Sequence, residues 1–392
     1  MNKSYIYIKC LVLFLITSTF SYAQSIDTVI VNDTITPIDT LQNKKKFFER
    51  IVNYFEEAKK DKSQNKFDIS FIGGPSYSVD TQLGLGMVAS GIYRMDKDNL
   101  ALPPSDLAIY TNLTTSGFFS IGIENTTIFP DDKYRLYYDM SFKYMPTKYY
   151  GIGYDAGNAG EFSKYDEYQL GLKLDVLRKV LPNTYVGATF SALNIQSKNF
   201  KDGDIRPESD AQNTMIGGGL IATYDSRDFN PNPSKGLYIK FEQIYYPKAL
   251  GSNKSFGKIS FTTRTYQQVW KNAILAFDLN AEVTNGDVPW TMLSQIGGSR
   301  QMRGYLKGQY RDRNQVNTQV ELRQKIYNRH GVAVWGGAGN VFENKDKFQL
   351  SHTLPTYGIG YRWEFKNRVN IRLDYGFGKG QSGFYFNVNE SF

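Results

Sequence analysis

The residues of this chain best suited to chemistry are cationic rather than nucleophilic. Residues 297–305 read Gly-Gly-Ser-Arg-Gln-Met-Arg-Gly-Tyr, a glycine-rich stretch that carries Arg303 between two segments alternating polar and apolar residues. A guanidinium stays charged and presents a planar fork of donors that matches a carboxylate. If the flanking segments line a barrel, Arg303 folds into the lumen and needs an anion there, because a buried unpaired charge is costly. Glu321, on the lumen face of the next segment, is the acceptor the pattern favours. Gly304 permits a turn closed to other residues, and Met302 and Tyr305 flank it, the tyrosine packing with its hydroxyl paired. Taken alone, Arg303 reads as well as a solvated loop residue, as most arginines are.

Other chemistries find little to work with. His330 and His352 are the only histidines, both fall in connections, and no Ser or Asp neighbour completes a triad at a recognisable spacing. Cys10 is the only cysteine. Carboxylates such as Asp202 and Asp204 are generic loop residues without the His or Cys that a metal centre needs. The expectation is no enzyme, no cofactor and no metal.

The composition sets the class of molecule that must position Arg303. Of 392 residues 15% are aromatic, with 29 Tyr, 26 Phe and 35 Gly, and the mean hydropathy of −0.44 is too polar for a bundle of membrane helices. The long apolar run is N-terminal: Lys3 and Lys9 precede an apolar stretch over residues 11–20, and Ser21-Tyr22-Ala23 supplies small residues at −3 and −1 before Gln24. This predicts a secretory signal peptide at 1–23. Its removal takes Cys10 with it, leaving no disulfide, and lowers the formal charge from +8 to +6. That mild excess suits anionic lipid headgroups, and no basic run is dense enough for nucleic acid.

Residues 24–66, roughly forty in number, are too few to bury a core unaided and are expected to form a periplasmic linker without a folded domain. Asp27-Thr28-Val29, Asp33-Thr34-Ile35 and Asp39-Thr40-Leu41 place one Asp-Thr-aliphatic triplet every six residues. The plain reading is a flexible polar tract; the sharper one is that the triplets resemble an O-glycosylation acceptor pattern of Bacteroidetes-type secreted proteins. Over residues 44–60, Phe47, Phe48, Ile51, Val52 and Phe55 recur at helical spacing and predict a short amphipathic helix. It lies on the inner leaflet, enters a lumen or docks a partner, and nothing in the sequence ranks these.

From Phe67 the period becomes two. Lys133, Arg135, Tyr137, Asp139, Ser141 and Lys143 alternate with Tyr134, Leu136, Tyr138, Met140, Phe142 and Tyr144; the pattern returns around Glu321 and Arg323, and again at Arg368, Asn370, Arg372 and Asp374. A soluble sandwich also alternates, but with its apolar face inside. The signal peptide, aromatic load and strand lengths favour an all-β transmembrane antiparallel β-barrel over residues 67–392. Strands start near 67, 84, 106, 117, 133, 165, 185, 213, 236, 257, 273, 316, 332, 356, 368 and 383, about sixteen in all. An even count closes the barrel with both ends periplasmic, and closure leaves no strand edge in hydrocarbon. The connection 94–105 is long for a periplasmic turn.

The loop holding Arg303 then falls sixth on the extracellular side, and Met302-Arg303-Gly304-Tyr305 resembles the Val/Ile-Arg-Gly-Phe/Tyr signature of the BamA/TamA outer-membrane assembly and translocation superfamily, the bacterial surface antigen barrels. Three more segments agree in order. Asp225-Ser226-Arg227-Asp228, followed by Pro231 and Gly236, resembles the family's fourth periplasmic turn; Val320-Glu321-Leu322-Arg323 is similar to its twelfth strand, and Ala338-Gly339-Asn340-Val341-Phe342 to the end of its thirteenth. The family pattern has an Asp where this chain has Gly337, which leaves the loop to Glu321, with Asp374 as a substitute. Phe384, Phe386, Val388 and Phe392 share one face of the last strand, and the terminal Phe resembles the signal by which barrels are recognised for insertion; Glu390 interrupts that face.

The resemblance implies insertion or translocation of protein, or of lipid, at the outer membrane of a Gram-negative, Bacteroidetes-like bacterium. The first strand, with Gly73-Gly74-Pro75, and the last would form a weak seam at which a substrate strand pairs. Expected partners are outer-membrane lipids and other outer-membrane or periplasmic assembly proteins, with no nucleic acid and no small-molecule substrate. No polypeptide-transport-associated (POTRA) domain has room in the chain. The alternative is a passive pore or structural barrel that keeps the family fold.

Overall fold

A computed structural model describes residues 68–96, 102, 105–203, 205–207, 212–230, 232–366, 368–390 and 392. The expected signal peptide, linker, triplets and amphipathic helix, together with Asp204, Pro231 and most of the 94–105 connection, lie outside the described residues.

Sixteen antiparallel strands close into one barrel. They are β1 (Asp68–Ser78), β2 (Gln82–Tyr93), β3 (Ser105–Thr114), β4 (Phe119–Ile128), β5 (Tyr134–Tyr149), β6 (Ser163–Leu181), β7 (Thr184–Lys201), β8 (Gln212–Asp225), β9 (Gly236–Tyr246), β10 (Phe256–Trp270) and β11 (Ala273–Gly286), followed by β14 (Asn314–Tyr327), β15 (His330–Phe342), β16 (Leu354–Lys366), β17 (Val369–Gly378) and β18 (Gln381–Val388). Between β11 and β14 the chain makes a separate two-stranded ribbon, β12 (Ser294–Gln295) with β13 (Arg311–Asp312). Each barrel strand begins within two residues of the position its alternation predicts.

Burial decides which face is which. On β5 Met140 is 52% exposed while Ser141 is buried; on β14 Val320 is 43% exposed while Gln319 and Glu321 are wholly buried. The apolar set faces out and the polar set faces in, the reverse of a soluble sandwich and the arrangement a bilayer demands. Among the described residues no helix is long and apolar enough to cross a membrane. One buried apolar cluster lies where a loop folds inward, formed by Ile296, Met302, Tyr305, Tyr310, Val341 and Leu354.

Pairing around the barrel is uneven. β17 and β18 align continuously from Ile371 with Val388 to Gly378 with Gln381, and β1 aligns with β2 along its whole length. Among the described residues β1 and β18 align at Tyr77 with Phe386 alone. Pro75 offers no N–H to a ladder, and Gly73 and Gly74 add no side chains to pack.

Candidate functional site: an arginine network under the inward-folded loop

Residues 287–313 leave β11 and fold inward rather than away from the barrel. The ribbon β12–β13 starts the fold, and inside it Ile296 N donates to Tyr310 O at 3.0 Å, Gly308 N to Ile296 O at 3.1 Å and Gly298 N to Tyr305 O at 3.2 Å. A six-residue helix α1 (Tyr154–Ala159), in the loop after β5, covers the ribbon: Gly153 N donates to Arg311 O at 2.8 Å and Gln309 Nε2 to Gly157 O at 2.9 Å.

At the tip of this fold Arg303 is completely buried. Its Nη2 donates to Glu321 Oε2 of β14 and its Nη1 to Asp374 Oδ2 of β17, each at 2.6 Å. The indole of Trp335 on β15 faces the guanidinium, 3.6 Å from ring centroid to Cζ. Thr356 Oγ1 on β16 donates to the Arg303 carbonyl at 2.5 Å, so four consecutive strands of one wall hold this residue. Gly304 has φ of +108°, and a Cβ there would stand 2.6 Å from the main chain of Phe377, so the close approach of loop to wall requires glycine. Its N–H donates to Tyr385 Oη on β18 at 2.8 Å. The Tyr305 hydroxyl donates to Pro355 O and accepts from Lys379 N, both at 2.7 Å.

The Arg303 pairs are the centre of a larger cluster. Arg323 Nε donates to Glu321 at 2.7 Å, Arg362 Nη1 to Asp374 at 2.6 Å, Arg372 Nη1 to Asp374 at 2.9 Å, and Arg362 Nε to Glu390 at 2.8 Å. Removing one partner of such a buried pair costs about 3–5 kcal/mol, since the other charge is left without compensation. The sequence pointed to Glu321 and named Asp374 as a substitute; both carboxylates accept from Arg303 at once. Gly337 does lack a carboxylate, and the wall there is filled by Trp335, which sequence reasoning did not single out. Arg362 and Tyr385 were also missed, although Arg323 and Arg372 stood on the alternating polar face.

The chain end departs from expectation. Phe384 and Val388 point outward, but Phe392 is buried against Tyr266 and Ala276 on the inner face. Asn389, with φ of +68°, turns the chain, its N–H donating to Asn370 O at 2.8 Å. Glu390 therefore does not interrupt an outward face; it enters the lumen and pairs with Arg362. His330, expected in a connection, opens β15, while His352 stacks on Tyr154 at 4.1 Å; the two stand at opposite ends of the barrel. Among the described residues no group of His, Cys, Asp and Glu is placed to hold a metal. Asp202 pairs with Lys164 at 2.8 Å.

The turn between β8 and β9 forms a second constellation at the opposite mouth. Arg227 makes a forked pair with Asp225, at 2.9 and 2.7 Å, and lies over Tyr238. Asp228 accepts from Ser234 N at 2.9 Å and from Arg368 Nη2, of the β16–β17 turn, at 2.7 Å; Gly236 opens β9. Burial opposes the charge on Asp228, but the hydrogen bonds from Ser234, Arg368 and the Lys235 amide outweigh it and hold the carboxyl well below the usual carboxylate range.

Comparison with known proteins places this architecture. The Omp85 superfamily domain matches residues 110–392, which span the second half of β3, all of β4 to β18 and all four motif segments. The chain belongs to the Omp85 superfamily. Among solved structures, BamA from Haemophilus ducreyi lacking POTRA domains 1–3 superposes with a TM-score of 0.57 at 13% identity, over 83% of this chain and 70% of that one. CdiB from Acinetobacter baumannii gives 0.53 at 13% identity, over 83% and 60%, and CdiB from Escherichia coli 0.53 at 12%, over 88% and 70%. At these identities the likeness is one of fold. No curated protein matches the sequence.

Proposed function

We propose that this Omp85 barrel inserts or translocates protein at the outer membrane of a Gram-negative bacterium, through the seam between β1 and β18 and without chemical catalysis. The observation that carries the reading is the seam itself, aligned at Tyr77 and Phe386 alone in a barrel whose other neighbouring strands each align over eight or more residue pairs. A strand edge left open in this way is a template for another strand, which adds by main-chain hydrogen bonds. The inward loop reaches both sides of the seam: Gly304 N donates to Tyr385 of β18, and Lys307 N to Asp80 Oδ1, between β1 and β2, at 2.8 Å. In this reading Arg303 anchors the loop to the rigid wall, and the loop bridges the seam until substrate arrives. Outer-membrane lipids and other outer-membrane or periplasmic assembly proteins are the proposed partners, with residues 1–23 as the signal peptide and 24–66 as a periplasmic linker.

Depletion of the protein in its host, followed by a survey of outer-membrane proteins and lipids, tests this reading. Loss of particular outer-membrane proteins supports it, and an unchanged surface with only altered ion conductance contradicts it in favour of a passive pore.

A further inference from the structure

At the mouth that carries the short turns lies a cavity of about 190 Å³ whose lining is strongly basic: Arg323, Lys325, Arg329, Arg362 and Arg368 face it with two carboxylates, Glu364 and Glu390. Asn232 and Ser234 of the β8–β9 turn form its far wall, which Arg368 ties in place through Asp228 and through Asn232 O at 2.9 Å.

Internal pairing uses only part of this charge. Lys325 pairs with Glu364 at 2.6 Å, Arg368 with Asp228, and Arg323 and Arg362 with the network carboxylates and Glu390. Arg323 Nη2 also donates to the main-chain oxygen of Phe392 at 2.8 Å. Even so, Arg323 Nη1 and Arg362 Nη2 are buried without a hydrogen-bond partner, the latter 3.6 Å from Glu321 Oε1, and the exposed Arg329 makes no salt bridge among the described residues. Buried charged donors without a hydrogen bond are costly, and a bound oxyanion compensates them.

We propose that this cavity is a binding site for a phosphoryl group, held by Arg329 at its rim and by Arg323 and Arg362 at its floor. Three donors arriving from β14, from the β14–β15 turn and from β16 suit a tetrahedral group with several oxygens better than a planar carboxylate with two. The group belongs either to a soluble phosphate ester or to the headgroup of an anionic phospholipid. The site is independent of the seam.

The test uses the full chain in detergent, near neutral pH, titrated with inorganic phosphate and followed by phosphorus NMR. Arg329 is exposed, so Arg329→Ala leaves the barrel intact, which heat-dependent gel mobility verifies. The expected result is one saturable site, weakened about tenfold by Arg329→Ala and retained by Arg329→Lys. Native mass spectrometry from mixed phosphatidylglycerol and phosphatidylcholine micelles separates the sources. Retention of phosphatidylglycerol that depends on Arg329 supports the site with a lipid ligand, and phosphate binding without such retention supports it with a soluble ester. Absence of saturable phosphate binding in the unmodified protein, or equal affinity in Arg329→Ala, overturns the proposal.

Discussion

The wall built from β14 to β17 and the seam between β18 and β1 are near neighbours in the barrel, yet they are held by opposite means. In the wall, four buried guanidiniums, that of Arg303 among them, and three buried carboxylates interlock over strands whose ladders are long, two of them broken by a single register shift. At the seam the ladder is reduced to Tyr77 and Phe386, and the inner bridge is a loop whose own anchor lies in the wall. The contrast teaches that closure of this barrel is not spread evenly around its circumference. In the proposed function, rigidity is concentrated where the loop is fastened, and the adjoining edge opens without unfolding the rest.

Breaking the strong region gives the largest expected effect. Arg303→Ala should lower the free energy of unfolding by about 3–5 kcal/mol, because Glu321 and Asp374 are left buried with less compensation. Glu321→Ala should cost a similar amount, and the double variant less than their sum, measured as a cycle in urea. Additive losses would dissolve the network into independent pairs. Trp335→Leu should cost about 2 kcal/mol by removing the ring beneath the guanidinium, and Trp335→Phe less.

The seam should show itself in hydrogen exchange. Amides of β1 that face β18 should exchange at least about tenfold faster than those of β14, a difference of about 1.4 kcal/mol in local opening. Equal protection would erase the comparison.

The next effect is smaller and depends on pH. Asp228 has a folded pKa below its unfolded value near about 4, so its contribution is fully present above that value and is lost as pH falls through the folded pKa. Protection of the Ser234 and Lys235 amides should therefore be constant from neutral pH down to about 4 and fall only in more acidic solution. Arg368→Ala should bring that loss to higher pH. The smallest effect belongs to the exposed Lys164–Asp202 pair, where Lys164→Ala should leave the urea midpoint unchanged within error.

Much of this contrast is written in the sequence, though unequally. The strands are legible because a bilayer outside and water inside impose a strict period of two, so Met140, Phe142 and Val320 mark one face and Ser141 and Glu321 the other. The loop arginine is legible because Gly304 and Tyr305 accompany it. What escapes is whatever depends on three-dimensional neighbours. Trp335 reads as one more barrel aromatic until its register opposite Glu321 is known. Arg362 hides between Tyr361 and Trp363, both facing lipid. The inward turn at Asn389 rests on one positive φ that alternation does not encode, and it moves Glu390 and Phe392 from the lipid face into the lumen.

The most direct test of the account is to lock the seam. Tyr77→Cys with Phe386→Cys places two thiols at its one aligned pair, in a chain whose only native cysteine is Cys10. The account predicts that oxidation abolishes the protein's ability to complement its own depletion, that reduction restores it, and that the same bridge between Leu373 and Phe386, across β17 and β18, has no effect. Full complementation by the oxidised Tyr77→Cys, Phe386→Cys barrel would contradict it.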